Sequence, residues 1–268
     1  MEGSGNTVVI TGASLGIGRA TALKLASEGY DLILNDIVDT SRVFGKVAGR
    51  NDSVIHVTGD ISETVTINRI ARAAGRSGVK LTGLVNSAFA MVSKPFLELT
   101  GKDWRRTFDV TFFAPVLLCR KLIPLMIRNG GGSIVNISSV HALAAGDVDS
   151  AADDAAKAAM NALTRSIALE FGHLGIRANS ILPGLVASER ILDWKKRKPA
   201  EYEASCLSHA LGRAGKPEEI AEAVSFLISG RSSFVTGSSM LVDGGQMTAL
   251  NETTAFSVLR KMHRSDSR

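Results

Sequence analysis

Short apolar runs alternate with stretches of helical spacing along the first half of the chain. Four of these runs are rich in β-branched residues and end in polar or glycine residues, which is typical of buried strands. They span residues 7–11, 32–34, 54–57 and 84–86. The first half of the chain is therefore predicted to alternate strands with helices.

A fifth apolar run, residues 134–137, ends in Ser138 and Ser139 and predicts a strand that delivers two hydroxyls at its carboxyl end. From Asp153 onward, the apolar residues return at helical intervals of three and four. Because residues i and i+4 share a helix face, Asp153 and Lys157 can meet and can both point toward the two serines. Taken alone, this pair would be interpreted as an ordinary surface ion pair.

A glycine-rich segment, residues 12–18, lies between the first predicted strand and a helix. Glycines allow the backbone to turn sharply beside a pyrophosphate, and the helix start presents free N–H groups to it. Asp36 ends the second strand at the spacing of about 20 residues where an acid meets an adenosine ribose. Its carboxylate would repel a 2′-phosphate and the turn carries no cation, so the pattern favours NAD over NADP.

Composition narrows the function classes. The 268 residues are 45% hydrophobic with a net charge of +5, but the positive charge is local and aromatic residues make up only 5%. Nucleic acid is therefore not the expected partner. Cys119 and Cys206 show no metal-site or disulfide spacing and are interpreted as reduced core thiols. No signal segment or membrane helix is expected, so the predicted location is the cytoplasm.

The motifs along the chain, taken together, resemble those of the classical short-chain dehydrogenase/reductase family. They include the glycine-rich turn, Asn86-Ser-Ala, Ser139, Lys157, Pro183-Gly184 and Val242-Asp-Gly-Gly245. The resemblance implies an α/β fold, with one doubly wound Rossmann-type domain and a parallel sheet flanked by helices on both faces. That domain would span residues 1–245, with a substrate lid at about 189–211 and a basic tail at 246–268.

The resemblance also implies a set of functional residues. The expected catalytic residues are Ser139, Asp153 and Lys157, and no metal is expected. The expected NAD-binding residues are Gly12, Ser14, Leu15, Gly16, Ile17, Gly18, Asp36, Asp60, Ile61, Asn86, Lys157, Pro183, Gly184, Val186 and Ser188.

The catalytic end departs from the family at three positions. Asp153 stands where the family has a tyrosine, Thr111 where it has an asparagine, and Phe89 where it has a glycine beside the cofactor. A carboxyl group with a pKa near ~3.9, lowered further by Lys157, is expected to be a poor proton donor at neutral pH. Oxidation of a secondary alcohol or reduction of its ketone is therefore expected to be weak or altered.

Three functions stay open. The first is an NAD-dependent oxidoreductase that relays protons through Asp153, a water or His141, and Asp153 could also be an introduced change that disables it. The second is a non-catalytic subunit or cofactor-binding protein that pairs with an active relative. The third is an enzyme that uses its carboxylate base for non-redox chemistry.

The family resemblance further implies a homotetramer or homodimer, and Leu117, Leu118 and Ile167 provide apolar surface for it. The lid carries four consecutive cations, residues 195–198. They could receive an anionic small-molecule substrate, although such a run is usually a solvated helix face.

Overall fold

The computed structural model describes residues 3–41, 54–145 and 149–248. Seven parallel strands form one sheet in the order β3-β2-β1-β4-β5-β6-β7. They are β1 (Thr7–Thr11), β2 (Asp31–Asp36), β3 (Val54–Thr58), β4 (Leu81–Asn86), β5 (Gly132–Ile137), β6 (Ile176–Pro183) and β7 (Ser239–Val242). The strand order reverses at β1, which confirms the predicted doubly wound sheet.

Eight α-helices are described in these ranges. They are α1 (Gly16–Ser27), α2 (Thr64–Ala74), α3 (Gly101–Phe108), α4 (Ala114–Arg128), α5 (Ala151–Phe171), α6 (Glu189–Arg197), α7 (Pro199–Leu207) and α8 (Pro217–Ile228). A π-helical turn, Asp109–Phe113, joins α3 to α4.

The central strands are apolar at nearly every position because both faces of the sheet are covered. Val8 and Val9 are adjacent in β1, and both side chains are fully buried. Val9 packs in the core beneath α2, α4 and α5, whereas Val8 packs in the core beneath α1 and α8. This arrangement explains why continuous apolar runs, rather than alternating ones, marked these strands.

The continuous helical stretch Gly101–Arg128 is long and apolar enough to cross a membrane, with a mean hydropathy of 1.8 over 18 residues. Such a stretch was not expected from the sequence. Leu118, Leu122 and Met126 are fully buried beneath the sheet, so this stretch supplies part of the core.

The lid interval between β6 and α8 contains α6 and α7, which pack through a small cluster that includes Tyr202 and Cys206. Its consecutive cations are exposed, and two of them pair within the lid: Arg197 with Asp193 and Lys198 with Glu201. The run therefore behaves as a solvated helix face.

Side-chain burial bears on the two cysteines and on the apolar residues expected at an interface. Cys119 and Cys206 are both free and buried, which confirms their interpretation as core thiols. Leu118 and Ile167 are buried in their own core and provide no surface for a partner, so that part of the oligomer argument was wrong. Most of the basic tail, residues 249–268, lies outside the described residues.

Candidate active site

The predicted site residues follow the carboxyl ends of the strands, which all meet at one edge of the parallel sheet. Gly12 follows β1, Asp36 ends β2, Asn86 ends β4 and Pro183 ends β6. Ser139 lies two residues beyond β5. The structure thus brings the glycine-rich turn, Asp36 and the catalytic candidates to the edge where doubly wound sheets bind their ligands.

The glycine-rich turn has the geometry of a cradle for a phosphate group. Gly12 and Gly16 have φ angles of +66° and +52°, which favour glycine. A Cβ at Gly18 would lie 2.0 Å from the carbonyl oxygen of Gly12, so only glycine allows α1 to start this close to the turn. Ser14 has a buried hydroxyl without a hydrogen-bond partner, and Leu15 precedes the helix with an exposed side chain. Ile17 follows in the first turn of α1.

Asp36 closes this turn from the end of β2. The Ser14 amide donates a hydrogen bond of 3.0 Å to Asp36 Oδ2. The carboxylate therefore borders the space in front of the turn. The tight glycine turn, the start of α1 and a neighbouring acid together fit a nicotinamide dinucleotide at this edge.

Asp60 lies after β3 in a network of hydrogen bonds. Its carboxylate accepts from the amide and hydroxyl of Ser62 at 2.9 and 2.7 Å and from Arg106 Nη1 at 2.8 Å. Burial raises the pKa of Asp60, but the bonds from Ser62 and Arg106 outweigh it and lower the pKa below its usual value. The side chain of the next residue, Ile61, is buried in the core.

Two hydrogen bonds join the end of β5 to α5. Lys157 Nζ donates to the carbonyl oxygen of Ile137 at 2.7 Å, and the Ser138 hydroxyl donates to the carbonyl oxygen of Lys157 at 3.2 Å. Ser138 therefore anchors the helix, whereas the hydroxyl of Ser139 accepts the His141 amide at 3.1 Å. Nearby, the side-chain amide of Asn86 donates to Asn136 Oδ1 at 2.8 Å.

Asp153 is buried, with only 8% of its surface exposed, and its Oδ1 has no hydrogen-bond partner. Burial raises the pKa of Asp153 above its usual value, and this effect exceeds the lowering by Lys157 and His141. Burial has the opposite effect on the pKa of the Lys157 ammonium group. It lowers that pKa below its usual value, and this effect exceeds the raising by Asp153.

Two expectations about this pair were therefore wrong. Asp153 and Lys157 do not form a surface ion pair, because both side chains are buried and Lys157 Nζ is directed to the carbonyl oxygen of Ile137. The pKa of Asp153 is raised rather than lowered, because desolvation of the carboxylate outweighs the neighbouring ammonium charge. A raised pKa makes Asp153 a better proton carrier near neutral pH than the sequence suggested.

His141 is placed beside a second carboxylate. Its Nδ1 lies 3.3 Å from Asp154 Oδ1, and the Ser150 hydroxyl donates to Asp154 Oδ2 at 2.9 Å. Asp154 was not singled out from the sequence, although it directly follows Asp153. An imidazole oriented by a carboxylate is an arrangement that can carry protons.

The other two departures from the family are also at this end. Thr111 lies in the π-helical turn, where its Oγ1 accepts the Ala90 amide at 3.2 Å. Phe89 is about half exposed, with Lys157 Nζ 5.5 Å and Arg190 Cζ 5.3 Å from its ring centroid. Phe89 therefore contacts both the buried lysine and the arginine of the lid.

The segment after β6 carries the remaining predicted cofactor residues. A Cβ at Gly184 would lie 2.8 Å from His209 Nε2, so glycine is needed for the chain to pass there. Val186 is buried and pairs with Gly215 in an isolated bridge, and Ser188 precedes α6.

Sequence reasoning missed Glu189, the first residue of α6. The Gly16 amide donates to Glu189 Oε2 at 2.9 Å, and Arg19 Nη2 lies 2.5 Å from Glu189 Oε1. No local pattern could have indicated this contact, because Gly16 and Glu189 are 173 residues apart in the chain.

Comparisons with known proteins agree with this geometry. Residues 12–247 match the family described as Enoyl-(Acyl carrier protein) reductase. A protein of Bradyrhizobium diazoefficiens described as a short-chain type dehydrogenase/reductase is 36% identical over 256 residues, which cover 91% of this chain and 88% of the relative. The L-rhamnose 1-dehydrogenase (NAD(P)(+)) of a Sphingomonas species is 33% identical, with 92% of this chain and 98% of the relative covered.

A solved structure extends the likeness to three dimensions. A protein of Agrobacterium tumefaciens assigned as a 2-deoxy-D-gluconate 3-dehydrogenase, with bound NADP, has a TM-score of 0.83 at 25% identity. The alignment covers 92% of this chain and 98% of that one. The chain therefore belongs to the classical short-chain dehydrogenase/reductase family. It is an oxidoreductase of that family, whose members use a nicotinamide cofactor and a small-molecule substrate.

Proposed function

We propose that this protein is an NAD-dependent oxidoreductase that interconverts a secondary alcohol and its ketone, with Asp153 in the position of the proton-transferring residue. The observation that carries this proposal is the buried, unpartnered Oδ1 of Asp153 at the end of the sheet where the cofactor turn also lies. The sugar dehydrogenases among its relatives act on alcohol or carbonyl groups, which supports this substrate class.

The residues beyond β5 and on α5 have separate roles in the proposed reaction. A nicotinamide cofactor, when bound at the glycine-rich turn, would supply the hydride-transfer chemistry. The Ser139 hydroxyl holds the reacting oxygen of the substrate, and the ionised carboxylate of Asp153 accepts the proton that the alcohol loses. In reduction, protonated Asp153 returns that proton to the oxygen. The buried charge of Lys157 favours the negative oxygen that forms between these states.

The raised pKa of Asp153 bears directly on this role. A carboxyl group whose pKa is moved toward neutrality exchanges its proton more readily in both directions. A carboxylate is nevertheless shorter than a phenol, so Asp153 or a water held by it transfers the proton less efficiently. We therefore expect slow turnover, with the His141–Asp154 pair as the alternative proton carrier.

The relatives differ in cofactor: one is named for both NAD and NADP, and one solved relative contains NADP. This chain's own residues favour NAD. Asp36 places its carboxylate at the end of β2, beside the Ser14 amide. Its charge favours a ribose hydroxyl and disfavours a 2′-phosphate. Leu15, in the turn itself, offers no cation in compensation.

We further propose that the protein works in the cytoplasm as a homodimer or homotetramer, with residues 1–245 as the catalytic domain and 246–268 as a basic tail. Large apolar side chains on the described surface support self-association: Phe113, Leu169 and Phe234 are 49%, 87% and 102% exposed. Light scattering at micromolar concentration tests this assembly, and a monomeric mass would contradict it.

A second function, a non-catalytic subunit that binds the cofactor, is favoured by two observations. The hydroxyl of Thr111 is already bonded to the backbone of Ala90 and cannot replace the family's asparagine amide. The Phe89 ring, at a position where the family has glycine, also lies 5.5 Å from Lys157 Nζ. Co-purification with an active relative would favour this function.

One experiment separates these functions. The purified protein is titrated with NAD⁺ and NADP⁺ by calorimetry and then assayed with a panel of secondary alcohols and sugars, with reduced nicotinamide followed by absorbance. We expect NAD⁺ to bind and slow reduction of NAD⁺ to follow. Binding without turnover would favour the non-catalytic subunit, and a product formed without cofactor reduction would favour non-redox chemistry. Binding of neither dinucleotide would contradict the proposal.

A further inference from the structure

The carboxylate of Glu189 links the lid to the glycine-rich turn. One of its oxygens accepts the Gly16 amide at 2.9 Å, and the other lies 2.5 Å from Arg19 Nη2. Glu189 is the first residue of α6, whereas Gly16 is the first residue of α1. A negative group of the lid is therefore seated at the positive end of the helix that follows the turn.

The residue before Glu189 also lies close to the turn. A Cβ at Gly16 would lie 3.1 Å from the Cβ of Ser188, the residue before Glu189. The start of the lid thus packs directly on the turn, and both oxygens of Glu189 are occupied by the turn or its helix.

The groups that hold Glu189 are the same groups that a phosphate would need. A free amide at a helix start and a neighbouring arginine are typical anion-binding groups. A carboxylate seated on them competes with any phosphate that approaches the turn.

We propose that Glu189 is a built-in competitor of the cofactor, which latches the lid onto the turn in the ligand-free protein and is displaced when a dinucleotide binds. This inference rests on the proposed function only in requiring that the turn binds a dinucleotide. It makes cofactor binding and lid release one coupled event.

The release of Glu189 reaches the catalytic end through the adjacent residue. Arg190 follows Glu189 and places its guanidinium carbon 5.3 Å from the centroid of the Phe89 ring. Lys157 Nζ lies 5.5 Å from the same centroid. When Glu189 leaves the turn, the start of α6 moves and the contact between Arg190 and Phe89 changes with it. Cofactor binding therefore prepares the site for substrate.

The first test measures dinucleotide affinity. Glu189→Gln keeps the size of the side chain and removes its charge, so the ligand-free latch weakens while the turn is unchanged. We expect NAD⁺ to bind about fivefold more tightly to this variant, as for the loss of a partly exposed charged contact of about 1 kcal/mol. Asp193→Asn is the matched control, because Asp193 lies on the same helix and pairs with Arg197 instead of the turn. Its affinity for NAD⁺ should stay that of the wild type.

The second test examines the ligand-free protein by hydrogen exchange. Amides in α6 should exchange faster in Glu189→Gln than in the wild type or in Asp193→Asn, and saturating NAD⁺ should remove this difference. Unchanged or weaker NAD⁺ binding by Glu189→Gln would overturn the competition, and unchanged exchange would overturn the latch. If NAD⁺ and NADP⁺ bound to none of the three proteins, both the proposed function and the competition would be contradicted, whereas faster exchange would still support the lid contact.

Discussion

The candidate active site, at the carboxyl edge of the sheet, has a cofactor end and a catalytic end, and these two ends differ in how closely they keep the family pattern. The cofactor end, after β1 and β2, retains the glycine turn and Asp36. The catalytic end, after β5, retains Ser139 and Lys157 but has Asp153, Thr111 and Phe89 at family positions. The two ends follow different strands at the same edge of the sheet.

This difference separates cofactor binding from proton transfer. The cofactor end depends on backbone shape, which tolerates no side chain at Gly18. The catalytic end depends on the titration of buried groups, which neighbouring residues can retune. The protein is therefore expected to bind its cofactor as other family members do and to transfer protons differently.

The largest expected effect is at the cofactor end. Gly18→Ala should weaken NAD⁺ binding by ~10²-fold or more, because the new methyl group would displace the turn from the helix start. Calorimetry measures the affinity, and circular dichroism checks that the variant folds. Gly172→Ala is the control, since a Cβ at Gly172 meets nothing within 4 Å. Near-normal NAD⁺ binding by Gly18→Ala would place the cofactor elsewhere.

At the catalytic end, we expect one substitution to raise the enzyme activity. Asp153→Tyr restores a longer proton-transferring group beside Lys157, and oxidation of secondary alcohols should rise by ~10²-fold. The affinity for NAD⁺ should change little, because Asp153 lies at the other end of the edge. A gain below about threefold with NAD⁺ still bound would mean that proton transfer does not limit turnover.

A smaller effect is expected on the preference for NAD⁺ over NADP⁺. Asp36→Asn keeps an acceptor for the Ser14 amide but removes the charge that disfavours a 2′-phosphate. The preference for NAD⁺ over NADP⁺ should fall by about tenfold, the size of one charged contact. Asp31→Asn, at the opposite end of the same strand, is the matched control. Tighter binding of NADP⁺ by the wild type would show that another cation offsets Asp36.

The smallest expected effect is on stability. Because the pKa of folded Asp153 is raised above 3.8, its neutral form is favoured in the folded state, and stability is lost as the pH rises from 3.8 through the folded value. Asp153→Asn removes this loss and should raise the free energy of unfolding near neutral pH, because the variant carries no buried charge at that position. Denaturation at acid and neutral pH checks this, since the gain should vanish below 3.8. An equal gain at both pH values would point to packing instead of charge.

Much of the fold could be predicted because its signals are local. The apolar run of β1 and the glycines after it specify a strand, a tight turn and a helix start within residues 7–27. Asp36 then follows at a fixed spacing, because a helix returns the chain to the next strand.

What could not be predicted depends on contacts between distant segments. The pKa of Asp153 is set by the burial that the folded chain imposes, and the i+4 spacing to Lys157 indicated the wrong direction. The contact of Glu189 with Gly16 joins two segments with no shared pattern. Leu118 fitted an interface by its apolar character alone, although the fold buries it in the core.

The most direct test of the account is the dependence of NAD⁺-dependent alcohol oxidation on pH in the wild type and in Asp153→Asn. If Asp153 is the proton acceptor, the wild-type rate rises with pH as the carboxyl group ionises. The Asp153→Asn variant should lose that rise and ~10²-fold in turnover, with NAD⁺ affinity unchanged. Turnover within about threefold of the wild type, with the same pH profile, would contradict the assignment of Asp153 as the proton-transferring residue.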